Sequence, residues 1–170
     1  MIGQIERVLA ALNDARVRYL VVGGVAVVLH GHLRVTADLD LVVQLEQENL
    51  RRALRALADL GYQPRAPVPI EAFADPENRR RWIEEKNLQV FSLWHKSPQT
   101  FEVDLFVTEP LDFDVAYSRA VRVQLESTEI PVVSQEDLIQ LKRNAGRPAD
   151  LEDIRALEVL RKEAGDDEDR

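Results

Sequence analysis

The chain has 170 residues, 45% of them hydrophobic and 31% charged, which suits one globular domain over 1–165 with a real core. Its net charge is −8, of which an acidic and disordered tail at 166–170 is expected to carry −3, so a broad electrostatic grip on a nucleic-acid backbone is not expected. The absence of cysteine excludes disulfides and thiolate chemistry. Without a membrane-length apolar run or a signal-like start, the expectation is no membrane partner and a cytoplasmic setting.

The spacing of Ile5, Val8, Leu9 and Leu12 predicts an amphipathic helix over 2–15. A short apolar strand at 19–22 then meets Gly23 and Gly24, followed by a short helix to residue 30. Glycines permit positive φ and close approach of a ligand to the backbone, and a following helix presents free N–H groups, so the pair reads as a phosphate cradle. The bland alternative is a strand terminator.

The next strand, 38–43, begins Asp38-Leu39-Asp40-Leu41. Side chains at i and i+2 share a face, which puts Asp38 and Asp40 together and turns Leu39, Leu41 and Val43 into the core. Two such close carboxylates stay ionised only beside a strong cation, and hard oxygen ligands suit Mg²⁺ or Mn²⁺ bridging to phosphates.

A helix over 46–60 ends at Gly61, a normal C-cap position. The segment 62–74 contains Pro64, Pro67 and Pro69 and reads as irregular, an acceptor-side wall or lid together with the charged helix at 76–86. The basic residues Arg51, Arg52 and Arg79 to Arg81 read as solvated helix faces or as a local basic patch.

Strands at 88–94 and 101–107 fit an antiparallel hairpin. In the second, Phe101, Val103, Leu105 and Val107 share one face, and Glu102, Asp104 and Phe106 the other. A helix at 112–118 and strands at 121–125 and 130–133 follow. Ser134 with Asp137 opens a helix to about 144, Gly146 and Pro148 break it, and 149–162 forms the last helix. The whole reads as an α/β (α+β) fold, a small mixed sheet with helices mainly on one face.

Asp104 lies mid-strand between apolar neighbours, where an unpaired charge is expensive. If its strand lies beside 39–43, three carboxylates face one side. They could then hold two divalent ions for in-line displacement at phosphorus, with Asp104 as the base for an attacking hydroxyl. Otherwise Asp104 is a rim charge equivalent to Glu102.

These residues resemble the nucleotidyltransferase fold of the DNA polymerase β superfamily. Arg34-x-Thr36-x-Asp38-x-Asp40 after Gly-Gly, with Lys142 and then Asp150 and Asp153, is similar to minimal, AbiEii-type nucleotidyltransferases, many of them toxins of toxin–antitoxin pairs. The resemblance implies transfer of a nucleoside monophosphate from an NTP to RNA, a protein or a small molecule, and a possible cognate antitoxin. It implies Gly23 and Gly24 around the phosphates, Asp38, Asp40 and Asp104 as metal ligands and catalytic groups, Arg34 and Thr36 near the nucleotide, and Lys142 reaching the phosphates. On the residues alone, Lys142 is equally a surface lysine, and Asp150 and Asp153 cap or solvate the last helix. Gly24 stands where many of these proteins have serine. The alternatives are a non-catalytic nucleotide-binding or protein-interaction module, and a hydrolase using the same acids. His30, His32 and His95 read as loop residues.

Overall fold

Tyr19–Val22 forms β1, and all four of its residues are buried, the mark of a central strand flanked on both edges. The computed structural model describes residues 2–168. Around β1 the chain runs α1 (Ile2–Asp14), α2 (Gly23–Leu29), β2 (Asp38–Val43), α3 (Gln47–Asp59), β3 (Gln63–Pro64), a 3-10 turn (Ile70–Ala74), α4 (Pro76–Lys86), β4 (Val90–Trp94), β5 (Glu102–Phe106), α5 (Phe113–Ser118), β6 (Val121–Gln124), β7 (Glu129–Val132), α6 (Gln135–Ala145) and α7 (Pro148–Glu168). The strands form one mixed sheet in the order β3-β4-β5-β2-β1-β7-β6. β1 pairs antiparallel with β2 and parallel with β7, and β2 pairs parallel with β5. This is the expected α/β architecture.

The alternation predicted for the two carboxylate strands is present. Leu39, Leu41, Val103 and Leu105 are fully buried, while Asp38, Asp40, Glu102, Asp104 and Phe106 are half-buried on the other face. Val42 breaks the pattern: it lies on the carboxylate face and is also fully buried, so that face is covered beyond Asp40. β4 and β5 form the expected antiparallel hairpin.

Local chemistry sets the helix ends. Asp75 accepts from the Glu77 N–H with Pro76 just inside α4, and Asn87 closes that helix at φ 50°. Ser134 accepts from the Asp137 N–H at 3.1 Å to start α6, as its sequence predicts. α7 extends past the expected end at residue 162 to Glu168, and residues 169 and 170 of the acidic run lie outside the described residues.

The proline-rich segment is anchored in the core. Ile70, Phe73 and Ala74 are buried, the 3-10 turn packs on α3, and the Phe73 ring stacks on Phe91 at 4.9 Å between centroids. Its prolines shape the chain between β3 and the turn, while its apolar residues finish the core. Pro64 sits in β3 at the sheet edge, where a missing N–H costs no ladder bond.

Candidate active site

In the β1–β2 pair, Val22 stands opposite Asp40. The chain leaves β1 immediately and enters α2 through Gly23, whose φ is +66°. A Cβ on Gly23 would lie 2.1 Å from Asp40 Oδ2. The position therefore needs glycine for its left-handed backbone and again for the space the carboxylate occupies. Gly23→Ala is expected to displace Asp40 and to lower turnover by at least about 10²-fold. Steady-state rates on a variant shown by its melt to be folded test this, and a rate within twofold of the parent would remove Gly23 from the site.

Gly24 has a different constraint. A Cβ there would meet Thr36 Oγ1 at 2.7 Å and the Arg34 guanidinium carbon at 3.6 Å. The Thr36 hydroxyl, which donates to the Asp38 carbonyl at 3.2 Å, fills the space a serine at 24 would use. This explains the departure at that position. Gly24→Ser is expected to impair the protein, and adding Thr36→Ala to restore it; a double variant no better than the single would show that the two side chains do not compete.

The parallel β2–β5 pair is in register, with Asp40 opposite Asp104 and Asp38 opposite Glu102. All three aspartates thus share one face, although residues two apart on a strand are separated by about 7 Å. Asp40 and Asp104 form the close couple, and Asp38 stands one step away. Among the described residues, no three carboxylate or imidazole groups converge tightly enough to enclose a metal ion by themselves.

The couple is under electrostatic strain. Burial, then the Asp104 and Asp38 carboxylates, push Asp40 up to about 7, against the pull of Arg147 and Lys142. Burial also raises Asp104, with the Ser92 hydroxyl working against the rise and Asp38 adding to it. Asp104 Oδ1 is buried without a hydrogen-bond partner. An acceptor oxygen orphaned in this way costs about 1–3 kcal/mol unless a cation or donor meets it.

The compensating charge comes from the far end of the chain. Lys142 is buried and donates to Asp153 at 2.8 Å and Asp150 at 3.4 Å. Arg34 pairs with Asp153, and Arg147 donates to Asp150 at 3.0 Å. Burial would raise Asp150, but Arg147 and Lys142 hold it below the usual carboxylate range. Lys142 is therefore neither a surface lysine nor an outstretched one. It is the buried centre of a network in which two buried carboxylates, Asp150 and Asp153, are each also held by a more exposed arginine, Arg147 and Arg34, beside Asp40 and Gly24.

A cavity of about 210 Å³ opens between Gly23, Phe106, Lys142 and Arg147. Sequence reading gives Arg147 and Ser92 no role in the site, and on the residues alone reads Asp150 and Asp153 as a cap or a solvated face. Their i, i+3 spacing on one helix face was the available signal. The histidines stand apart: His30 Nε2 contacts the Val133 carbonyl at 2.7 Å, and His95 packs edge-on to Tyr62.

The fold is shared with enzymes of known structure. The lincomycin-bound lincosamide antibiotic adenylyltransferase LnuA has a TM-score of 0.62 and 16% identity, covering 93% of this chain and 96% of its own. ANT(2")-Ia in complex with adenylyl-2"-tobramycin has a TM-score of 0.57 and 15% identity, covering 95% of this chain and 94% of its own. No curated protein sequence matches the chain. The family model described as "Nucleotidyltransferase of unknown function (DUF6036)" matches residues 2–163, nearly the whole of the fold built around Asp40 and Asp104, and the chain belongs to that nucleotidyltransferase family.

Proposed function

We propose that this protein, acting as one domain, transfers a nucleoside monophosphate from an NTP to the hydroxyl of a small molecule and releases pyrophosphate. The observation that supports it best is the in-register couple of Asp40 and Asp104, seated against Gly23 with cations at its side. The acceptor class accords with the two antibiotic-modifying enzymes that share the fold.

The carboxylates fit Mg²⁺ or Mn²⁺. They are hard oxygen donors, they repel one another when empty, and Asp104 Oδ1 has no partner. Mg²⁺ characteristically takes one or two carboxylates and completes its shell with phosphates and water, so a closed cage is not required. Asp40 and Asp104, with Asp38, would hold the metal, which would neutralise phosphate charge and acidify the acceptor hydroxyl.

The chain's own residues do the rest. Gly23 and Gly24 let phosphate oxygens approach the backbone, and no side chain caps the first turn of α2. Arg34 and Arg147, each held by a buried aspartate, supply charge at the triphosphate, and Thr36 stands with Arg34 against Gly24, between that charge and Asp38. Lys142 acts through Asp150 and Asp153, fixing those two arginines. Asp104, opposite Asp40 and with one carboxylate oxygen unpartnered, accepts the acceptor's proton. Positioning and fixed charge supply the rate, without a covalent intermediate.

Label transfer tests this. Each NTP, labelled at its α-phosphate, is incubated with protein, Mg²⁺ or Mn²⁺, and a bacterial lysate then fractionated into RNA, protein and small molecules. Label is expected among the small molecules and absent with Asp104→Asn. Metal-dependent NTP binding with no label in any fraction would instead identify a non-catalytic member.

A further inference from the structure

A second cavity adjoins Asp38. It measures about 450 Å³, is bounded by Thr36 and Asp38 at one end, and runs between α1 (Gln4, Ile5) and the β4–β5 connection (Gln99, Thr100). A smaller chamber of about 260 Å³ continues it, sharing Gln4, Gln99 and Thr100 and reaching Tyr62 and His95. The groove therefore leads from Asp38 away from the Lys142 network.

Resting on the nucleotidyl-transfer reading, we infer that this groove binds the acceptor, and that the acceptor is an uncharged molecule bearing hydroxyls. The lining decides the class. In the larger chamber Gln4, Gln99, Thr36 and Thr100 offer neutral amides and hydroxyls, which donate and accept, over apolar walls from Ile5, Val25, Pro98 and Phe101. Among the described residues that line it, Asp38 is the one charged group of the larger chamber and Arg7 the one formally charged residue of the smaller. Among the described lining residues, a polyphosphate chain such as RNA would find a single cation, and a polyamine a single carboxylate at the groove's end. A neutral polyol meets a hydrogen-bonding partner at each step.

The size agrees. A chamber of about 450 Å³ accepts one or two sugar-sized rings, within the ordinary range for small-molecule sites. In the reaction, the acceptor oxygen forms a bond to the α-phosphorus, and the bond from that phosphorus to the bridging oxygen breaks. Pyrophosphate departs with the bonding pair, and the hydroxyl proton passes to Asp104. The product is a nucleotidylated polyol.

The test offers the protein Mg²⁺ and α-labelled NTP with three separate acceptors: a mixture of neutral polyols (glucose, myo-inositol, ribitol and uridine), the polyamine sugar kanamycin, and a short ribo-oligonucleotide. Gln4→Trp fills the larger chamber, and Gln99→Ala removes an amide without filling space; melts verify that both are folded. The expected result is label on a neutral polyol, with its KM raised at least tenfold by Gln4→Trp and the KM for NTP within twofold of the parent. Label on kanamycin or RNA, or on no compound while pyrophosphate is still released by transfer to water, overturns the acceptor class. Label on a polyol unaffected by both substitutions overturns its place in the groove. Absence of both NTP binding and pyrophosphate release would overturn the nucleotidyl-transfer reading itself, a result distinct from the others.

Discussion

Asp40→Asn is expected to abolish nucleotidyl transfer and, in the same molecule, to stabilise the metal-free fold. Loss of transfer on the order of 10³-fold or more follows if this carboxylate meets the reacting metal nucleotide. The stability gain follows from the raised pKa. In the folded chain Asp40 stands near 7, because burial and the Asp104 and Asp38 carboxylates oppose its charge, against an ordinary 3.8. A carboxyl whose folded pKa is raised contributes stability that is complete below about pH 4 and lost as pH climbs through 7. Asparagine carries no charge to repel. At pH 8 without metal the variant is therefore expected to be more stable by about 1–2 kcal/mol, roughly 3–6 °C in Tm, and the difference should shrink towards pH 5. Mg²⁺ should raise the melting point of the parent and leave the variant nearly unchanged. Thermal melts at the two pH values, with and without Mg²⁺, check each part; a variant that melts lower at pH 8 would contradict the strained couple.

Lys142→Met is expected to give the largest loss of stability, about 3–5 kcal/mol by urea unfolding, because it strips the central cation from two buried carboxylates. Methionine keeps the length of the side chain, so the loss reports charge more than packing. Adding Asp153→Asn should recover part of it, since the second change removes one of the two buried carboxylates then left with a single arginine partner. If Lys142→Met alone unfolds within 1 kcal/mol of the parent, the pair is solvated and the network is not the support described above.

The alternation of apolar and acidic residues made both carboxylate strands legible, down to which faces Asp38, Asp40 and Asp104 share. Their adjacency was not, because nothing local to residues 38–43 or 102–106 states that these strands pair, or that Asp40 rather than Asp38 meets Asp104. The need for Gly23 was legible as a turn, whereas its cause, the Asp40 carboxylate 2.1 Å from a Cβ there, belongs to the tertiary structure. Lys142, Asp150 and Asp153 lie on two helices separated by the Gly146 break, so their meeting depends on how α6 packs against α7. In the proline-rich segment, Pro64, Pro67 and Pro69 spoke for irregular chain and obscured Ile70 and Phe73, whose burial ties the segment to the core.

The union of Arg34 with Asp153 joins residues 119 positions apart, and Lys142 with Arg147 tempers a carboxylate at position 40. During synthesis, the ribosome releases the acidic strands and the glycine turn long before the helices that bring their counter-charges. A nascent chain that has reached β5 holds its aspartates against one another with no cation from α6 or α7 beside them. Contacts of such long sequence separation form slowly, so assembly of the charged centre is a late folding event. The charged centre is thus complete only once α6 and α7 have packed together beside the strands.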